Sequence, residues 1–99
     1  MYERYLDALD RCRSPECVVR AYRRFMSGCV DVIRHVESLF RRGRISDGAA
    51  STVLSTVESL MERAGYNAVE RFDDILSGIG YRYRQEVDRI AYRSFLKPQ

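Results

Sequence analysis

Cys12, Cys17, Cys29 and His35 have the strongest claim to chemistry in this sequence, because thiolate and imidazole are the usual ligands of zinc. Their spacing, C-x4-C-x11-C-x5-H, fits none of the common zinc patterns. Cys29 and His35 are six residues apart on one expected helix, so they point in different directions. No metal and no other cofactor is expected. Cys12 and Cys17 flank Ser14-Pro15, one at each side of a turn. A disulfide between them would be unusual in a mesophile cytosol and acceptable in a hyperthermophile. Buried free thiols are the expected state of the pair, the disulfide is the alternative, and Cys29 belongs to the core.

His35 falls on the polar side of its helix. A general base needs an oriented partner, and Glu37, two residues away, lies on another face. The acidic pairs Glu58/Glu62 and Asp73/Asp74 lack the E-x-x-H motif of a di-iron bundle. Gly78-Ile79-Gly80 lacks the lysine, the third glycine and the preceding strand of a phosphate-binding loop. No catalytic constellation emerges, and the chain is not expected to be an enzyme.

Charge points elsewhere. Sixteen arginines stand against one lysine, with one asparagine and two glutamines. A thermophilic source would account for the scarcity of labile amides. A GC-rich genome would account equally well for the arginine bias. The net charge of +3 is unevenly spread. Residues 11–24 hold five arginines against Glu16, and residues 34–44 hold four against Glu37. Residues 45–80 reverse the sign, with six acids against Arg63 and Arg71. Residues 81–99 return to positive, with five basic residues against Glu86 and Asp88.

The elements that must position these groups are all helical, and the stretch from Val18 to Phe40 organises them. Read as heptads with Val18 at d, its a, d and e positions are apolar or aromatic throughout, including Tyr22, Phe25, Cys29, Ile33, Val36 and Phe40. Such a stripe needs partners along its whole length. A first helix is expected over Tyr2–Arg13. Ser14 and Pro15 then supply an N-cap and an N1 proline for a long helix of about 42 Å, ending near Arg42. Gly43 reads as its C′ residue, and Ser46 as the cap of a third helix.

Gly65, with Asn67 and Glu70 as an N-cap signal, predicts a break there, so that a last helix runs from about Ala68 to Leu96. An eleven-residue apolar recurrence at Val57, Ala68, Ile79 and Ile90 argues against that break. The expected architecture is all-α: one domain over residues 1–99, a small antiparallel bundle of about four helices with long second and last members. No apolar run is long enough to span a membrane, and residues 1–5 show no signal-peptide pattern. A soluble, intracellular, cytoplasmic protein is the expectation.

Functional expectations centre on two surfaces. In the last helix, Ile79, Tyr83, Val87 and Ile90 are taken as the core side, which leaves Tyr81, Tyr92 and Phe95 projecting outward. Tyrosine and arginine are enriched at protein interfaces. A self-associating, non-enzymatic helical assembly module is therefore the first reading, its partner a second copy or another protein. Arg20, Arg23 and Arg24 are expected to be neutralised by Glu62, Glu70, Asp73 and Asp74. At the other end, Arg41, Arg42 and Arg44 would approach Arg89, Arg93 and Lys97, with Arg82 on the same flank. That basic end, with tyrosines able to stack on bases, supports DNA or RNA binding as the alternative.

Overall fold

The computed structural model describes residues 1–78 and 89–92. Three helices are complete: α1 over Tyr2–Arg11, α2 over Pro15–Arg41 and α3 over Asp47–Leu76. Residues 89–92 are also helical, and there is no strand among the described residues.

Local chemistry sets the boundaries. Ser14 caps α2, its Oγ accepting the Cys17 N–H at 3.3 Å, and Pro15 occupies the first turn where its missing N–H is no loss. Gly43, at φ +69°, takes the left-handed conformation that closes α2. Its N–H reaches the Phe40 carbonyl at 3.0 Å, and the Arg44 N–H reaches that of Leu39 at 2.9 Å. Ser46 caps α3 by accepting the Ala49 N–H at 3.1 Å.

The expected break at Gly65–Asn67 is absent. α3 continues through both residues and stops at Ser77–Gly78 instead. Gly65 keeps negative φ, and a glycine inside a helix costs only about 1 kcal/mol, which tertiary packing outweighs. Asn67 does not cap anything: its side-chain amide donates to the Tyr2 hydroxyl. The helix expected from Ala68 to Leu96 therefore gives its first part to α3. The continuation through Ile79, Tyr81, Tyr83 and Val87, and the terminal stretch with Phe95, lie outside the described residues.

Helix lengths decide where the core sits. At 1.5 Å per residue, α2 and α3 are about 40 and 45 Å long, while α1 is only about 15 Å. α2 and α3 pack on each other, and α1 packs on both. α1 covers one end of the pair. Its Tyr5 and Tyr2 rings lie against Phe25, with centroids 4.7 and 5.8 Å away. The main core gathers there, from Leu9, Val18, Phe25, Phe72 and Leu76 among others. Ala91 belongs to it too.

Beyond Gly28, burial thins out. Val36 and Ala50 are buried but stand apart from the main cluster, while Phe40, Val53 and Leu54 are 47%, 39% and 38% exposed. The α2 stripe is thus covered for part of its length rather than all of it. Periodicity says which side of a helix is apolar, and α1 is too short to cover the rest.

Covalent and polar links also join the α1 region to its neighbours. In place of the expected free thiols, a disulfide links Cys12 and Cys17, with Cα atoms 5.4 Å apart. Closing so short a loop stabilises by roughly 2 kcal/mol in the chain-entropy account. Arg71 of α3 donates from Nη2 to the Cys12 carbonyl at 2.6 Å, placing a cation at the C-terminal end of α1. Cys29 remains a free, buried thiol.

Two predictions follow from this packing. Phe25→Ala should cost about 3–5 kcal/mol by leaving a cavity under α1, whereas exposed His35→Ala should change stability by under about 0.5 kcal/mol. Urea unfolding would measure both, and equal losses would mean that His35 has a buried or functional role. The glycines separate a continuous α3 from a broken one. A Cβ at Gly65 would sit 3.8 Å from the Tyr22 hydroxyl, an ordinary contact, so Gly65→Ala should stabilise by about 0.4–1 kcal/mol. Gly43→Ala should destabilise by about 1–2 kcal/mol, because its left-handed φ is strained for any side chain. Destabilisation by alanine at position 65 would argue for a break there.

Candidate functional site

An open groove of about 710 Å³ lies between α1 and α2. Small residues make the space: Ala8 on α1, with Ala21 and Gly28 about two turns apart on α2. Tyr5 and Phe25 supply aromatic walls, and Arg4, Arg20 and Arg24 stand along it. All three arginines are exposed. A pocket of this size is within the range of ligand sites, roughly 300–1,000 Å³, but its shape is a trough along two helices.

Arg20, Arg23 and Arg24, expected to be neutralised by acids of α3, form no salt bridge with Glu62, Glu70 or Asp74. A salt bridge within α2 joins Arg41 to Glu37 at 2.6 Å. Glu70 and Asp74 instead line a small pocket with Leu6, Leu9 and Asp10 of α1. The groove between α1 and α2 carries Arg4, Arg20 and Arg24 with no acid among its lining residues.

Tyr5 fixes the groove's inner wall. Its hydroxyl donates to the Ala64 carbonyl at 2.6 Å in a buried hydrogen bond across the bundle. Burial first, then the neighbouring Tyr22 and Tyr2, raises its pKa far above the ordinary 10.0. Burial and then Cys29 raise that of Tyr22, and burial raises that of Cys29. None of these groups is poised to ionise near neutral pH.

The residues singled out from the sequence are dispersed. His35 is exposed on α2, and no group of three or more histidine, cysteine or acidic side chains able to hold a metal occurs among the described residues. Arg42 and Arg44 are exposed at the α2–α3 turn, and Arg41 is bound to Glu37. Arg89 is exposed, and Tyr92 is 58% exposed. Ile90, expected on the core side, is 48% exposed, and Ala91 is buried in its place. The smaller side chain permits closer approach of the backbone to the core. Tyr81, Arg82, Arg93, Phe95 and Lys97 lie outside the described residues.

Sequence reasoning missed the groove. Its signal was present in the alternation of Arg20, Ala21, Arg24, Phe25 and Gly28, but reading it required knowing that α1 would lie alongside.

The buried phenol and thiol make alkaline pH the sensitive direction. A folded-state pKa raised above the unfolded one gives stability that is complete below the unfolded value and lost as pH climbs toward the folded one. The loss should begin near pH 9, the ordinary value for Cys29, and steepen above 10, the ordinary value for Tyr5 and Tyr22. Urea midpoints measured from pH 7 to 11 would show it, and Tyr5→Phe should flatten the slope above pH 10. An identical slope in that variant would mean that Tyr5 ionises freely in the folded protein. Comparison of the chain with protein-family models, curated proteins and solved structures yields no match.

Proposed function

We propose that the chain is a non-enzymatic helical assembly module, a small antiparallel bundle of about four helices that self-associates through its C-terminal segment. The observation that carries this reading is the sidedness of residues 89–92. Ala91 is buried in the main core, while its neighbours Ile90 and Tyr92 are 48% and 58% exposed. A segment seated on the core by a small residue, with two large apolar side chains directed outward, is suited to burying them against another surface. The antiparallel arrangement has support from the short α2–α3 connection together with the approach of Tyr22 to Gly65. No described helix is long and apolar enough to cross a membrane.

The alternative, binding of DNA or RNA, is favoured by one observation. Arg42, Arg44 and Arg89 are exposed and take part in no ion pair among the described residues. Phosphates would supply the missing counter-charge.

Sedimentation or light scattering over a range of protein concentrations distinguishes the two. On the assembly reading, mass rises with concentration, and Ile90→Ser with Tyr92→Ser lowers it to the monomer while leaving helix content unchanged. On the nucleic-acid reading, affinity for an oligonucleotide is high at about 50 mM salt and falls steeply as salt rises, and Arg42→Ala with Arg89→Ala weakens it. A chain that remains monomeric at all concentrations would overturn self-association.

A further inference from the structure

Two surfaces of the described chain are unpaired in charge and match each other. One is the groove between α1 and α2, with Arg4, Arg20 and Arg24 along it and Ala8, Ala21 and Phe25 within it. The other runs along α3, from Glu58 toward the α1 side, where Glu70 and Asp74 line a small pocket with Leu6, Leu9 and Asp10. Glu58, Glu62, Tyr66, Glu70 and Asp74 follow one another at intervals of four residues, and all five are exposed. In a helix unbroken from Asp47 to Leu76 they form a single ridge. At its centre Tyr66 is 68% exposed, more than any other large hydrophobic side chain among the described residues.

Each surface is unfavourable alone. Glu58/Glu62 and Glu70/Asp74 are like-charged pairs at i,i+4, as are Arg20/Arg24 on α2, and such pairs repel. None of these side chains takes part in an ion pair among the described residues. Juxtaposing the two surfaces would relieve both.

We propose that the groove receives the Tyr66 ridge of a second copy of the chain. Ridges of i±4 spacing are the units that interdigitate when one helix packs on another. Glu62 and Glu70 are about 12 Å apart along α3, with Tyr66 midway. With the Tyr66 ring over the small residues Ala8 and Ala21 and beside Phe25, the flanking carboxylates reach toward arginines on both walls. Arginine–carboxylate pairing supplies directional contacts, and the buried aromatic supplies the anchor typical of interface hot spots.

The two surfaces are different, so the contact is heterologous and every copy keeps one of each to offer. α1, α2 and α3 each pack on the other two, so the groove between α1 and α2 opens away from α3. Successive copies therefore stack groove to ridge, growing until a ring closes or a filament forms. The inference shares with the proposed function only the idea of an assembly module, since it rests on residues remote in sequence from Ile90 and Tyr92.

The test uses two variants of the full chain that both carry Ile90→Ser and Tyr92→Ser, which removes the C-terminal contact. One adds Arg20→Glu and Arg24→Glu, spoiling the groove. The other adds Glu62→Gln and Tyr66→Ala, spoiling the ridge without creating a charge that the first variant's altered groove could bind. All four added positions are exposed, and matching circular dichroism melts establish that each variant folds. Each alone should self-associate at least about thirtyfold more weakly than the parent carrying only the two serines. Mixed in equal amounts, the intact ridge of the first should fill the intact groove of the second. The expected product is a 1:1 complex that does not grow and that dissociates as salt rises.

Two folded variants that form no complex on mixing would overturn the proposal, whether or not the native chain associates through Tyr92. Complex formation would uphold it even if the serine substitutions alone leave assembly untouched. If the parent stays monomeric but binds an oligonucleotide through Arg20 and Arg24, the groove is a phosphate site and the proposal falls.

Discussion

One side chain connects all three helices. Tyr5 belongs to α1, stacks its ring on Phe25 of α2 and donates its hydroxyl to Ala64 of α3. A helix of ten residues is too short to persist alone, because nucleation is unfavourable and few hydrogen bonds follow it. α1 exists because its apolar side is held down, and Tyr5 is the centre of that side. The groove has two walls only while α1 stays in place. Tyr2 on Asn67 and Arg71 on Cys12 reinforce the same docking from either side. They are polar contacts between segments far apart in sequence, and they fix where along α3 the short helix settles.

The turns were legible because their signals are local. Ser14-Pro15, Gly43 and Ser46 each act through their own backbone or the next few residues, and each ends or starts a helix where the sequence indicates. Gly65 and Asn67 carry the same kind of signal and misled, because their roles are tertiary. Asn67 satisfies its amide on Tyr2, sixty-five residues away, and Gly65 sits beneath Tyr22. That misreading had a further effect. With a break at position 65, the spacing of Glu58, Glu62, Tyr66, Glu70 and Asp74 has no meaning, since the residues would belong to two helices. The ridge becomes visible only when α3 is one piece. The groove was hidden for a related reason, since it is made by the placement of α1 and not by any motif.

Apolar surface and charge are distributed along the molecule in a way that a lone monomer uses poorly. One end has three helices around a shared core. At the other, α2 and α3 leave Phe40, Val53 and Leu54 partly open to solvent. Opposite charges are segregated as well, with arginines along the α1–α2 groove and carboxylates along α3. Segregation of this kind contributes little to the stability of a single chain, because like charges on one surface repel. It does set up strong local fields, and fields of one sign facing fields of the other steer encounter between molecules. The features that look wasteful in the isolated chain are the ones an assembly would use.

Cys12 is pinned three ways: its sulfur is bonded to Cys17, its carbonyl accepts from Arg71 and, at 3.2 Å, from Arg13. The opposite end of α1 is held by side chains instead: the Asn67 amide donates to the Tyr2 hydroxyl, and the Tyr2 ring meets Phe25 edge-on. The two fastenings differ in kind, since the covalent bond at Cys12 survives any opening that breaks the contacts of Tyr2. Local opening of α1 should therefore start from the Tyr2 end and keep Cys12 tethered beside Cys17.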